Sequence, residues 1–153
     1  MVIRTIPSAQ VLFYHTRTKL GRLNQFKESI ARRLYAEAAR QELLPAGPLV
    51  WVYNGADGKP GTLFTLEIAL PVQGGHPPVP GLFSSKYLPD FVGASAIHHG
   101  AREHLFETYD RLIDELELNG QKRSGICREQ YLLLDFNNEA NNLIEVLVGI
   151  KPS

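Results

Sequence analysis

Arg111-Leu112-Ile113-Asp114-Glu115 follows Arg33-Leu34-Tyr35-Ala36-Glu37 by 78 residues. The same displacement carries Gly47 onto Gly125, Tyr53 onto Tyr131, Asp57 onto Asp135 and Glu67 onto Glu145. Seven of the forty ungapped pairs from Arg33/Arg111 to Val72/Ile150 are identical, where unrelated segments would share roughly two or three. An internal duplication is therefore expected, and the local signals around these residues follow it.

Leu23, Phe26, Ile30, Leu34 and Ala38 recur at helical spacing, with Lys27, Glu28, Arg32, Arg33 and Glu37 between them and Pro45 and Gly47 beyond. Leu105, Tyr109, Leu112, Ile113 and Leu116 form a second stripe, and Asn119-Gly120 supplies a left-handed stop. Strand signals precede each helix at Val11–His15 and Val92–His98, and follow at Leu49–Tyr53 and Cys127–Leu134. Turns rich in Asn, Asp and Gly lead to closing strands at Thr62–Val72 and Asn142–Ile150, so each pair reads as a hairpin. Leu82–Leu88 is expected to add one strand.

The order strand, helix, strand, strand, given twice, predicts an α+β fold of duplicated βαββ units. Their strands would form one curved antiparallel sheet with two helices on one face and a ligand cleft on the other. One domain over 1–153 is expected, with pseudo-repeats at about 9–72 and 82–150 and a Pro/Gly-rich linker at 71–81.

Apolar residues make up 44% of the 153, and sixteen Lys plus Arg balance sixteen Asp plus Glu. Neither a basic face for nucleic acid nor one for anionic lipid is implied. A single cysteine, Cys127, excludes an internal disulfide and a Cys-based zinc site. No apolar run reaches membrane-spanning length, and Met1-Val2-Ile3-Arg4 lacks signal-peptide character. A cytoplasmic location follows as the expectation.

Glu145 lies within Leu143-Ile144-Glu145-Val146-Leu147-Val148-Gly149-Ile150, a strand apolar on both faces. A carboxylate there needs a compensating basic residue such as Arg128, a hydrogen-bond network or a ligand. Glu67 repeats the arrangement between Leu66 and Ile68. Trp51 and Tyr53 alternate onto one face of their strand, and the 78-residue displacement carries them to Glu129 and Tyr131. Phe83 and Tyr87 lie on the extra segment, where they could cover a cleft. Aromatic walls around a carboxylate suit a flat hydrophobic or cationic organic ligand, and plain core packing is the alternative.

Other chemistry finds little support. Adjacent His98 and His99 point to opposite strand faces, and neither HExxH nor a cysteine cluster occurs, so no metal or cofactor is expected. Gly74-Gly75 matches no phosphate-binding fingerprint, and Cys127 has no evident activating base.

Several stretches resemble the GyrI-like family, the effector-binding domain also fused to AraC- and MerR-type regulators. In the second half they are Ile97-His98-His99-Gly100, Leu105, Tyr109, Leu112, Asn119-Gly120, Glu129-Gln130-Tyr131 and Ile144–Ile150. In the first half they are Leu44-Pro45-Ala46-Gly47-Pro48, Trp51-Val52-Tyr53 and Leu66–Val72. The resemblance implies a duplicated fold with a central cleft, binding of bulky, often cationic or aromatic compounds, and a glutamate on a closing strand, at which position Glu145 stands. Two departures stand out: Gly100-Ala101-Arg102 replaces the family's frequent Gly-Pro-Tyr, and the last strand ends Gly149-Ile150 instead of Pro-Val or Pro-Ile. The SOUL group shares the fold, but no axial haem ligand is evident.

The expected function is binding of a small hydrophobic or cationic aromatic compound by a stand-alone effector-binding or sequestering protein. Glu145, Glu67, Trp51, Tyr53, Tyr131, Phe83 and Tyr87 would form the site. One alternative is a hydrolase of strained electrophilic natural products with Glu145 as general base; another is an inhibitor-type module for a protein partner. Direct contact with nucleic acid or membrane is not expected.

Overall fold

Helix-period and strand-period segments alternate along this chain, and each kind buries its apolar side against the other. The computed structural model describes residues 1–26, 29–74, 76–81 and 83–152. Strands β1 (Val2–Ile6) and β2 (Ala9–Thr18) open the chain, and a 3-10 turn at Leu20–Phe26 leads to α1 (Ser29–Arg40). Then come β3 (Leu44–Pro45), β4 (Leu49–Asn54), β5 (Phe64–Gln73), β6 (Ser84–Leu88) and β7 (Phe91–His99). A short 3-10 turn at Arg102–His104 precedes α2 (Leu105–Leu118), β8 (Arg123–Leu133) and β9 (Leu143–Ile150). Lys27 and Glu28 of the expected first helix, Gly75 of the linker and Leu82 of the extra strand lie outside the described residues.

The strands form one curled antiparallel sheet in the order β1-β7-β9-β8-β4-β5-β2-β6, with β3 bridging to β5. β7-β9-β8 mirrors β4-β5-β2 across the central β8/β4 pair. β1, not anticipated from the sequence, is the counterpart of β6: each precedes one unit yet pairs with the first strand of the other, β1 with β7 and β6 with β2. These crossing strands shield the outer edges of the two units.

One face of the sheet carries both helices. Ile30, Leu34 and Ala38 of α1, and Leu105, Leu112 and Leu116 of α2, join Leu12, Trp51, Ile68, Ile144, Val146 and Val148 in the main core. Val11, Val50, Val52, Ala69 and Leu88 form a smaller cluster on the opposite face. Strands β2, β4 and β5 are therefore apolar on both sides, which explains their near-continuous hydrophobic runs.

Both helices stop in the same way. Leu43 N–H donates to Ala38 O, and Gln121 N–H donates to Leu116 O, each at 2.9 Å, and both closures place one residue in the left-handed region. That residue is Gly120 in the second unit (φ 67°) and Glu42 in the first (φ 56°). The expected Asn119-Gly120 stop is thus made by the glycine. The first helix departs from expectation: the turn carrying Leu23 and Phe26 is 3-10, with Phe26 packed on Tyr14 at 5.8 Å between ring centres.

Candidate functional site

The central strand pair builds the site. Trp51 sits opposite Glu129, Leu49 opposite Tyr131 and Tyr53 opposite Cys127. Because the 78-residue displacement also carries Trp51 onto Glu129, the pseudo-twofold axis runs through this pair. Directly paired residues share a sheet face, so Leu49, Trp51, Tyr53, Glu129 and Tyr131 all point toward the helices. Tryptophan and glutamate thus stand as mates at the centre of the doubled architecture.

Glu129 is almost completely buried, at 3% exposure. Its Oε1 accepts hydrogen bonds from the hydroxyls of Tyr53 at 2.8 Å and Tyr131 at 2.6 Å, and its Oε2 from Tyr109 of α2 at 2.6 Å. Tyr53 and Tyr131 are themselves mates under the duplication. Burial, and secondly the Glu129 charge, raise the pKa of all three phenols well above the ordinary value. They therefore remain O–H donors, and three such bonds to a carboxylate offset much of its desolvation.

Arg102 lies over this cluster. Its guanidinium carbon is 4.5 Å from the centre of the Trp51 ring and 5.5 Å from that of Tyr131, within cation–π range. Nη2 is 4.0 Å from Glu129 Oε1, an electrostatic pairing longer than a hydrogen bond. Burial opposes the charge on Arg102, but Tyr131, Tyr53 and Glu129 outweigh it and raise its pKa further. The turn bearing Arg102 is anchored from below by buried His98, whose Nε2 meets Ala101 O at 2.8 Å and whose Nδ1 meets Thr108 Oγ1 at 2.9 Å. His99 is exposed, as strand alternation requires.

A cavity of about 520 Å³ opens beside this centre, within the range that holds a drug-sized molecule. Ala31, Arg32 and Tyr35 of α1 form one wall, Leu49, Trp51, Tyr131 and Arg102 the base, and the segment Leu132 to Phe136 with Glu139 and Asn142 the other wall. The opening falls on the α1 side for a reason visible in the duplication. Ala31 is the mate of Tyr109, and where Tyr109 fills the space over Glu129 in the second unit, a methyl group leaves it open in the first. Leu132, Leu133 and Phe136 are about half exposed at the mouth (48%, 48% and 58%) and give it an apolar lip.

This cavity lies on the helix-bearing face, which corrects the expected position of the cleft on the opposite face. Of the two helices, α1 forms a wall of the hollow, and no described residue of α2 lines it. Trp51 and Tyr131 line it. Tyr53 stands behind them, buried against Trp51 and Phe64. Phe83 is buried with Arg33 over its ring, and Tyr87 is 69% exposed on the edge strand β6; neither lines the cavity.

Glu145 and Glu67 face the other way. Glu145 pairs with Gln130, and Gln130 with Val50, a residue of the second cluster. Its oxygens accept from Arg4 Nη1 at 2.6 and 2.7 Å and from Ser95 Oγ at 2.6 Å. Glu67 is ion-paired with Lys86. Arg128, the cation named as a partner for such a carboxylate, instead lies over Phe91 and donates to Pro89 O at 3.1 Å.

Glu129, Tyr109 and Arg102 are the residues that sequence reasoning did not assign to the site. The signal for Glu129 was present, since Glu129 and Tyr131 occupy the same strand phase as Trp51 and Tyr53. Arg102 showed only as a departure from Gly-Pro-Tyr. Among the described residues, no group of three or more His, Cys, Asp or Glu could hold a metal ion. No helix of the described residues is long and apolar enough to cross a membrane.

Residues 1–151 match the family described as the GyrI-like small molecule binding domain. No curated relative matches the chain. Among solved structures, the EcmrR C-terminal domain superposes with a TM-score of 0.80 at 17% identity, covering 99% of this chain and 97% of that one. In the EcmrR–DNA complex the same match spans 57% of the EcmrR chain. SAV2435 bound to tetraphenylphosphonium gives a TM-score of 0.66 at 10% identity, with 98% and 93% covered. A hydrolase encoded by lin2189 from Listeria innocua gives 0.61 at 12%, with 97% and 91% covered.

Proposed function

We propose, from the premise that this chain belongs to the GyrI-like family, that it binds a small organic compound with a bulky hydrophobic or aromatic body in the cavity between α1 and the β8 end. The observation that carries this reading is the aromatic-based hollow of about 520 Å³ over a carboxylate held by three tyrosines. Trp51 and Tyr131 supply aromatic lining, while Leu49, Leu132 and Leu133 supply apolar contact. Tyr53, Tyr109 and Tyr131 hold Glu129 rigid, so the base of the cavity is preorganised before a guest arrives.

A cationic aromatic guest is the second reading. It draws on Glu129 as counter-charge and on the tetraphenylphosphonium bound to SAV2435. Hydrolysis draws less support from the geometry. Glu145 is engaged by Arg4 and Ser95 on the far face, and Glu129 does not line the cavity, whereas a general base must reach its water directly.

Trp51 is the only tryptophan, so its fluorescence reports directly on the cavity. Titration with the neutral dye N-phenylnaphthylamine should quench Trp51 and saturate. Ala31→Tyr, which gives the first unit the bulk that Tyr109 has in the second, should weaken binding at least about tenfold. Unchanged affinity in that variant overturns the assignment of this cavity.

A further inference from the structure

The cavity does not present Glu129 to a guest. Arg102, Trp51 and Tyr131 line it and Glu129 does not. Each Glu129 oxygen is already engaged by phenol hydroxyls, and Arg102 Nη2 stands 4.0 Å from Oε1. The place over the two aromatic rings that a cationic guest would take is filled by a cation belonging to the chain itself. A second cation there would meet like charge in a poorly solvated hollow.

Arg102 also has one unmet donor. A guanidinium has five N–H donors in a planar fork, yet the Nε of Arg102 is buried with no hydrogen-bond partner among the described residues. A buried donor without an acceptor is a standing free-energy cost. Arg32 adds a second guanidinium on the α1 wall. Of the wall carboxylates, Asp135 turns away: its Oδ1 accepts from the backbone N–H groups of Asn137 and Asn138, and its Oδ2 from Asn141 Nδ2. Glu139 is the other carboxylate on that wall.

We infer that Arg102 is the specificity-determining residue of this cavity and that it selects an aromatic guest bearing an acidic group. The acid would pair with the Arg102 guanidinium while the aromatic body packs against Tyr35, Leu49 and the apolar lip of Leu132, Leu133 and Phe136. Trp51 and Tyr131 lie beneath the guanidinium, and His98 holds the turn that bears it, so Arg102 is already in place at the cavity base. The inference rests on the cavity reading proposed above.

Two dyes with the same aromatic body test it: neutral N-phenylnaphthylamine and anionic anilinonaphthalene sulfonate. Tetraphenylphosphonium serves as the cation. In the wild type the sulfonate dye should bind at least about tenfold tighter than its neutral analogue, and the phosphonium more weakly than either. Arg102→Ala should bring the affinities of the two dyes within about twofold of each other and improve the phosphonium by uncovering Glu129. Arg102→Lys, which keeps the charge without the fork, should retain part of the advantage and guards against misfolding of the alanine variant. Equal binding of the two dyes to wild type, or a sulfonate advantage that persists in Arg102→Ala, overturns the role of Arg102 and leaves the cavity standing. Tighter binding of the phosphonium by wild type does the same in favour of a cationic guest. Failure of both dyes to bind removes the cavity reading and this one together.

Discussion

Replacing Tyr109 by Phe tests the tyrosine cradle with the least disturbance, because it deletes one oxygen and keeps the ring. The Tyr109 hydroxyl is 2.6 Å from Glu129 Oε2 and is the only hydrogen bond described for that oxygen, whereas Oε1 keeps Tyr53 and Tyr131. A hydrogen bond to a buried charged group contributes about 1.5–3 kcal/mol. At roughly 2–4 °C per kcal/mol for a chain of this length, the melting temperature should fall by about 3–12 °C. Urea unfolding followed by circular dichroism gives the free energy, and Tyr87→Phe on the exposed edge strand supplies the control, expected within about 0.5 kcal/mol of wild type. A double-mutant cycle with Glu129→Gln isolates the pair: most of the Tyr109→Phe cost should vanish once the charge is gone. If Tyr109→Phe unfolds with Tyr87→Phe, or its cost is unchanged beside Glu129→Gln, the reasoning about the cradle is refuted.

Arg4→Ala should destabilise by about 1–2 kcal/mol in urea unfolding, since it strips buried Glu145 of its cation; the half-exposed state of Arg4 keeps the loss below that of a fully buried pair. Glu42→Gly should raise stability by about 0.5–1 kcal/mol in the same assay, because Glu42 occupies the left-handed position that Gly120 fills in the second helix closure. Burial, and secondly the Glu129 charge, push the Cys127 thiol from 9.0 up to about 11. Native protein should therefore resist iodoacetamide and urea-unfolded protein should react. The raised thiol also contributes stability that is intact below about pH 9 and is lost as pH climbs through about 11. A Cys127→Ala variant should show a shallower loss over that window in pH-dependent unfolding.

Much of the architecture was legible because it depends on local periodicity. The α2 stripe, the hairpin turns and the duplication each rest on residues close in sequence or displaced by a constant interval, and all are found in the structure. β1 was missed because it is a five-residue strand, exposed at four positions, that owes its place to pairing with β7. The choice of Glu145 over Glu129 has a similar origin. Alternation correctly separates Glu145 from Val146, but it does not say which side of the sheet the helices cover. Glu145 also looked unpaired because its partner, Arg4, lies 141 residues away.

The amino-acid sequence alone determined that two like units exist, which segments coil or extend, and that aromatic side chains alternate onto one strand face, since each is a property of neighbouring residues and their spacing. Tertiary structure alone decided on which face of the sheet each carboxylate falls, that Tyr109 reaches Glu129 from another element, and that Arg102 lies over Trp51 and Tyr131. Those outcomes depend on strand register and on the side of the sheet to which each crossover returns, and both are settled only when distant segments compete to bury the same surface.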